Sequence, residues 1–274
     1  MNWNWRAIKA IMRKDLQQVL QNRMVWLPMI IVPALIQVLV PLGLVLMPRF
    51  MPESDLGVQD LTGLLGVMPD GLRTMMEGMT AGQMWIMLSA NYMFAPMFLI
   101  VPLMVSSILA ADSFVGEKER GTMEGLLYTP ISDRDLFMAK VLTAFLPALV
   151  ISLGSFLAYG IVVNAGGYAT MGRIFFPTAP WWPLVFWLGP AVSVAGLGVT
   201  VLISSRAKTF MQAQQTSGIL VLPIVFLMIA QLSGLFFLGI GLILFIGALV
   251  WAVGIWLVWM GARIFSRGDM ITRV

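Results

Sequence analysis

The stretch from Ala111 to Lys140, ADSFVGEKERGTMEGLLYTPISDRDLFMAK, holds ten of the thirty charged residues in a 274-residue chain that is only 11% charged. Carboxylates and cations so concentrated can form ion pairs or engage a charged surface. Glu117, Arg120 and Glu124 fall on one side of a helix at i,i+3 and i,i+4 spacing, and Met123, Leu126 and Leu127 make an apolar edge. Catalysis is poorly served. Cys and His are absent, which removes thiolate chemistry, Ser-His-Asp catalysis, disulfides and zinc sites built on Cys or His. The G-x-x-x-x-G-K-[ST] loop that cradles nucleotide phosphates does not occur. No catalytic, cofactor-binding or metal-ligating residue is therefore expected in this chain.

The elements that position this stretch follow from composition. The chain is 59% hydrophobic with 26 Gly and 10 Trp, whereas a soluble domain carries about 25% charged residues. A helical bundle in lipid accounts for this. The roughly ten-residue alternation of a β-barrel is missing. Uncharged stretches that can span a bilayer, about 20 residues each, occur at 24–47, 85–111, 141–163 and 183–205. A fifth tract from Thr209 to Ala262 is too long for one helix and breaks at Gln231, Ser233 and Gly234 into 213–230 and 235–262. The fold class expected is all-α: one polytopic membrane domain with six transmembrane helices. Fourteen of the seventeen Lys and Arg fall on the side of the termini, and only Arg49, Arg73 and Arg173 on the other, which places both termini in the cytoplasm. Nucleic acid is not an expected partner. A cleaved signal peptide does not fit a first apolar run about twice the usual length behind a charged helix.

Residues 1–23 read as an interfacial amphipathic helix in which Trp5, Ile8, Met12, Leu16 and Val19 share one face and Lys9, Arg13, Gln17 and Gln21 another. Such a helix lies on the inner leaflet with its cations toward anionic headgroups, or meets a cytoplasmic partner. Residues 49–84 form an outer loop with short helices; its Met75, Met76 and Met79 could offer thioethers to Cu(I) or make an apolar helix face. Between spans two and three lies the cytoplasmic segment 112–135: a helical pattern begins at Phe114, Pro130 stops it, and Ser132 with Asp135 three positions later caps the helix that runs into span three.

That segment resembles the ABC type-2 permeases, membrane subunits of ATP-binding-cassette exporters, through Glu117, Glu119, Gly121, Thr122, Glu124, Leu126, Leu127, Thr129, Pro130 and Lys140. Gly125 and Ala139 depart from the family's usual pattern, and Gly125 weakens a helix by about 1 kcal/mol. The resemblance implies that residues 113–128 form a coupling helix seated against a separate ATPase subunit, with Glu117, Glu119, Arg120, Gly121, Thr122, Glu124, Leu127 and Pro130 as its coupling residues. It places Glu117 and Glu119 against a basic or hydrogen-bonding surface of that ATPase. It also implies ATP and Mg on the partner, a second permease copy or homologue enclosing the pathway, and residence in a plasma membrane, such as a prokaryotic inner membrane.

No span carries a charge well inside it, which disfavours ion-coupled secondary transport and favours a lipid-like or hydrophobic substrate; a non-transporting scaffold is a further alternative. Weakly polar positions remain as pathway candidates: Asn91 in span two, and Ser193 and Thr200, which with Gly189 and Gly196 make a stripe on span four. Close helix packing explains such a stripe equally well, as it does Gly247, Gly254 and Gly261 at seven-residue intervals in span six.

Overall fold

The computed structural model describes residues 3–51, 70–121, 131–233 and 237–264. The expectations for most of the outer loop and for Thr122, Glu124, Leu127 and Pro130 lie outside them. Every described element is helical. Six helices are long and apolar enough to cross a membrane: Arg23–Arg49, Ala81–Glu119, Asp133–Met171, Trp181–Ser204, Phe210–Gln231 and Ile240–Ile264. We call them spans one to six, and the N-terminal helix Trp5–Gln21 α1.

Spans two and three overrun their predicted limits. Each has 39 residues, about 58 Å of helix against a hydrocarbon layer of about 30 Å, so each carries charged turns beyond the lipid. Capping, not hydropathy, sets their ends. Thr80 and Gln83 form a reciprocal capping box before span two. Ser132 accepts from the Asp135 amide at 3.1 Å and caps span three, as predicted. Gly121 and Gly172, both at φ +66, follow the last turns in the left-handed conformation that glycine adopts without steric cost. Phe114 does not start a separate helix. Span two continues through a π-turn at Asp112–Gly116 to Glu119, because no proline or left-handed residue interrupts it before Gly121.

Span two is the axis of the bundle, with 78% of its apolar window buried against 17–28% for spans one, three, five and six. Its middle departs from regular helix at Ser89–Met93, a π-turn just before Pro96. Wider hydrogen bonding there and the missing proline N–H free backbone carbonyls. Three neighbouring helices supply donors to them. Tyr159 of span three donates to the Ala90 carbonyl (2.6 Å), Trp181 of span four to Asn91 (3.0 Å) and Gln231 of span five to Tyr92 (2.7 Å). Around these bonds Phe98 meets Phe156 and Trp181 edge to face, Phe176 meets Tyr159 and Trp181 edge to face, and Tyr159 stacks on Trp181. Met76, at the end of the short helix Asp70–Met76, is buried, Met79 beyond that helix packs against this core, and Met75 is exposed.

α1 departs from its predicted orientation. Ile8, Asp15 and Val19 are buried, and Ala7 and Ile11 pack on Ile131 and Leu136 at the start of span three. Trp5 is 55% exposed. Of the apolar stripe, Ile8 and Val19 thus face the protein, Met12 and Leu16 are half-buried, and Trp5 faces outward. Arg134 of span three stacks over the Trp3 ring at 4.0 Å. α1, the end of span two and the starts of spans three and five lie together at one end of the bundle, called here the basic end.

Spans four and six meet along small residues. A β-carbon on Gly254 would lie 3.0 Å from the Ala195 backbone nitrogen, and one on Gly261 2.7 Å from Val201 Cγ1, whereas one on Gly154 of span three would meet nothing within 4 Å. Gly254→Ala is expected to destabilise by about 1–3 kcal/mol through overpacking. Gly154→Ala is expected to be neutral or stabilising by up to about 1 kcal/mol. Thermal unfolding of the two variants in detergent checks the contrast, and equal midpoints would contradict the seam.

Candidate functional site

At the basic end four charged side chains from three elements converge. Lys140 stands two turns into span three and is completely buried, and Glu117, in the last turns of span two, is 1% exposed. Lys140 Nζ donates to Glu117 Oε2 and to the Ser113 carbonyl, and lies 5.6 Å from the centre of the Phe114 ring. The other Glu117 oxygen accepts from Lys14 of α1. Lys14 Nζ also lies 3.5 Å from Asp15 Oδ1, an ionic contact, and Asp15 Oδ2 accepts from the Ser113 hydroxyl at 3.1 Å. Two lysines face two carboxylates, so the group is neutral when all are ionised. A buried pair of this kind is tolerable only where hydrogen bonds satisfy the remaining valences, and the Ser113 carbonyl and hydroxyl provide them.

Asp15 is the least comfortable member. Burial pushes its carboxyl above the usual range and the Glu117 charge adds to this, while Lys140, Lys14 and the Ser113 hydroxyl oppose it.

The following turn is held separately. Arg120 Nη1 reaches back to Asp112 Oδ1 at 2.8 Å across Gly116, where a β-carbon would come within 2.7 Å of that same oxygen. Only glycine leaves room for the bridge. Glu119 Oε2 accepts the backbone N–H of Phe210, the first residue of span five, at 2.8 Å. Lys118 is exposed between the two glutamates.

The expected coupling residues therefore divide. The anticipated outward contact of Glu117 does not fit its place in the structure, because its carboxylate is buried between two lysines of its own chain. Arg120 pairs with Asp112, eight residues earlier in the same span. Thr122, Glu124, Leu127 and Pro130 lie outside the described residues. Sequence reasoning missed Lys14, Asp15, Ser113 and Asp112. One signal was available, since Asp15 is the only acidic residue in α1 and falls between Ile8 and Val19 on the apolar stripe.

The pathway candidates are all inside the bundle. Ser193 donates to the Pro102 carbonyl (3.3 Å), and Thr200 bonds the Gly196 carbonyl (2.8 Å) and the Ser217 hydroxyl (3.0 Å). A β-carbon on Gly196 would lie 2.6 Å from Leu103 Cδ1, so the stripe packs on span two. Asn91 Nδ2 lies 3.4 Å from the Met87 carbonyl, and its Oδ1 has no hydrogen-bond partner among the described residues.

The sequence profile of the ABC-2 family transporter proteins matches residues 9–240, from α1 through span five. The chain belongs to the ABC-2 transporter family. It is thus a multi-pass ABC permease, a membrane transport subunit of a kind that works with ABC ATPases. No curated protein and no solved structure matches it.

For the permease's ion cluster the pH dependence follows from Asp15. A carboxyl whose folded pKa is raised contributes stability that is complete below its unfolded pKa, near 3.8, and is lost as pH rises through the higher folded value. Asp15→Asn removes this loss and is expected to unfold at the same or a higher temperature than the parent at pH 7.5. A lower melting temperature for Asp15→Asn at that pH would contradict the assignment.

Proposed function

We propose that this permease is the membrane half of an ABC exporter for lipid-like or hydrophobic molecules, driven by a separate ATPase subunit that docks at the basic end. ATP and Mg belong to that subunit. A second permease copy or homologue completes the pathway, and both termini lie in the cytoplasm of a plasma membrane, such as a prokaryotic inner membrane. The observation that carries this reading is the buried ion cluster. It joins α1, the tip of span two and the start of span three, so a push delivered at this end reaches two long membrane helices together. An apolar substrate agrees with spans that hold no charge in their middles. Because Ser193 and Thr200 pack against span two and span five, the route lies along other surfaces in this conformation.

We assign docking to Lys118, which is exposed, and to residues 122–130, as the family resemblance implies; Glu117 is engaged by two lysines of its own chain and Glu119 by span five. Lys118→Glu is expected to lower retention of the ATPase about two- to fivefold, the range of an exposed charge contact, and to lower nucleotide-driven efflux with it. Co-purification followed by transport in proteoliposomes measures both, and unchanged retention would remove Lys118 from the interface. Orientation is tested in the same cysteine-free chain. Cysteines introduced at Ser132 and at Ile174 should label from the cytoplasmic and outer faces respectively; labelling of both from one side would overturn the topology.

A further inference from the structure

We infer that Glu119 is the positioning residue that carries movement of the span-two tip into span five. This rests on the ABC permease reading above and deepens it, for the fastening itself exists whatever drives it. The Glu119 carboxylate accepts the Phe210 N–H at 2.8 Å, joining residues 91 apart in sequence. That amide belongs to the first turn of span five, where backbone donors have no partner within their own helix and a negative charge is favoured. The usual local cap is occupied elsewhere, since Thr209 Oγ1 accepts from the Gln212 amide at 3.2 Å. Glu119 supplies what the local sequence does not.

The linkage is stiff on both sides. Behind Glu119 the turn is locked by Arg120 on Asp112 over Gly116. Beyond the bond, Phe210 and Ala213 are buried with Phe114 and Val115 in one apolar cluster, so a shift of the tip meets the side chain of Phe210 as well as its amide. Span five has few other fastenings, with only 17% of its apolar window buried. Among the described residues its other polar ties to the bundle are Thr200 to Ser217, two turns further on, and Gln231 to the Tyr92 carbonyl at the far end. The two glutamates of the E-x-E sequence thus serve different helices. Glu117 fastens the tip to α1 and span three, and Glu119 fastens it to span five.

Hydrogen exchange read by mass spectrometry tests this with Glu119→Ala and Glu119→Gln, the second of which keeps an acceptor oxygen. In the full chain alone, Glu119→Ala should speed exchange over residues 208–212 by about tenfold, the effect of losing a hydrogen bond to a charged group. Exchange over 112–116 should stay unchanged, and Glu119→Gln should restore most of the protection. Unchanged exchange at 208–212 would overturn the fastening. In the complex with its ATPase, trapping nucleotide should alter exchange at both 112–121 and 208–217 in the parent chain. Glu119→Ala should retain the first change and lose the second. Persistence of both, or loss of both, would overturn the transmission role. An ATPase that fails to bind the parent chain would count against the permease reading, while the chain-alone measurement still decides the fastening.

Discussion

A lysine and a glutamate buried at one end of a membrane bundle are an expensive pair to hide from water, and the arrangement of the basic end follows from how that cost is met. Lys140 has no exposure and Glu117 almost none. Each charge taken from water forfeits several kcal/mol, which mutual attraction recovers only with good geometry and further hydrogen bonds. Those come from Lys14 and from the Ser113 carbonyl. The pair therefore requires α1 to lie against span two, and requires the start of span three to stand at the level of the span-two tip. A helix that could have floated on the lipid becomes part of the bundle. α1 contributes a cation to the cluster as well as an apolar face.

The same economy governs the bundle's middle. A π-turn and prolines free carbonyls of span two where water is scarce, and side chains from spans three, four and five donate to three consecutive ones. In lipid these groups have no other source of partners. Span two is thus fastened by polar bonds at mid-depth and by ion pairs at its tip, while small residues set its approach to span four. Apolar surface on spans one, three, five and six faces outward, as a lipid-embedded protein permits. Under the docking proposed at this end, motion entering at the tip would be delivered to helices already bonded to the axis.

Much of this architecture was legible in the sequence because it depends on local pattern. Uncharged length gave six spans, Ser132 with Asp135 gave the start of span three, and glycines seven apart marked a packing seam on span six, whose partner, span four, only the structure supplies. The roles of the charged residues were not legible in the same way. Glu117 meets Lys14 103 residues away and Lys140 23 residues away, and Glu119 meets an amide 91 residues on. Helical spacing says which residues share a face, not whether that face looks outward or inward, and an acid on a polar-looking tip reads as outward. The start of the tip was misplaced for a related reason. Charge suggested a new element at Phe114, whereas the backbone continues helical until a left-handed glycine follows at Gly121.

The central claim is that Glu117 and Lys140 act as one buried unit, and a double-mutant cycle tests it most directly. Unfolding of the purified permease in mixed micelles would be followed for Glu117→Gln, Lys140→Met and the combination. Removing either partner alone should destabilise by up to about 3–5 kcal/mol, because a buried charge loses its nearest opposite charge, even though Lys14 still faces Glu117 and the Ser113 carbonyl still faces Lys140. The double variant should recover part of that loss, with a coupling of about 1–3 kcal/mol between the sites. Effects that simply add would show that the two side chains do not depend on each other and would contradict the account.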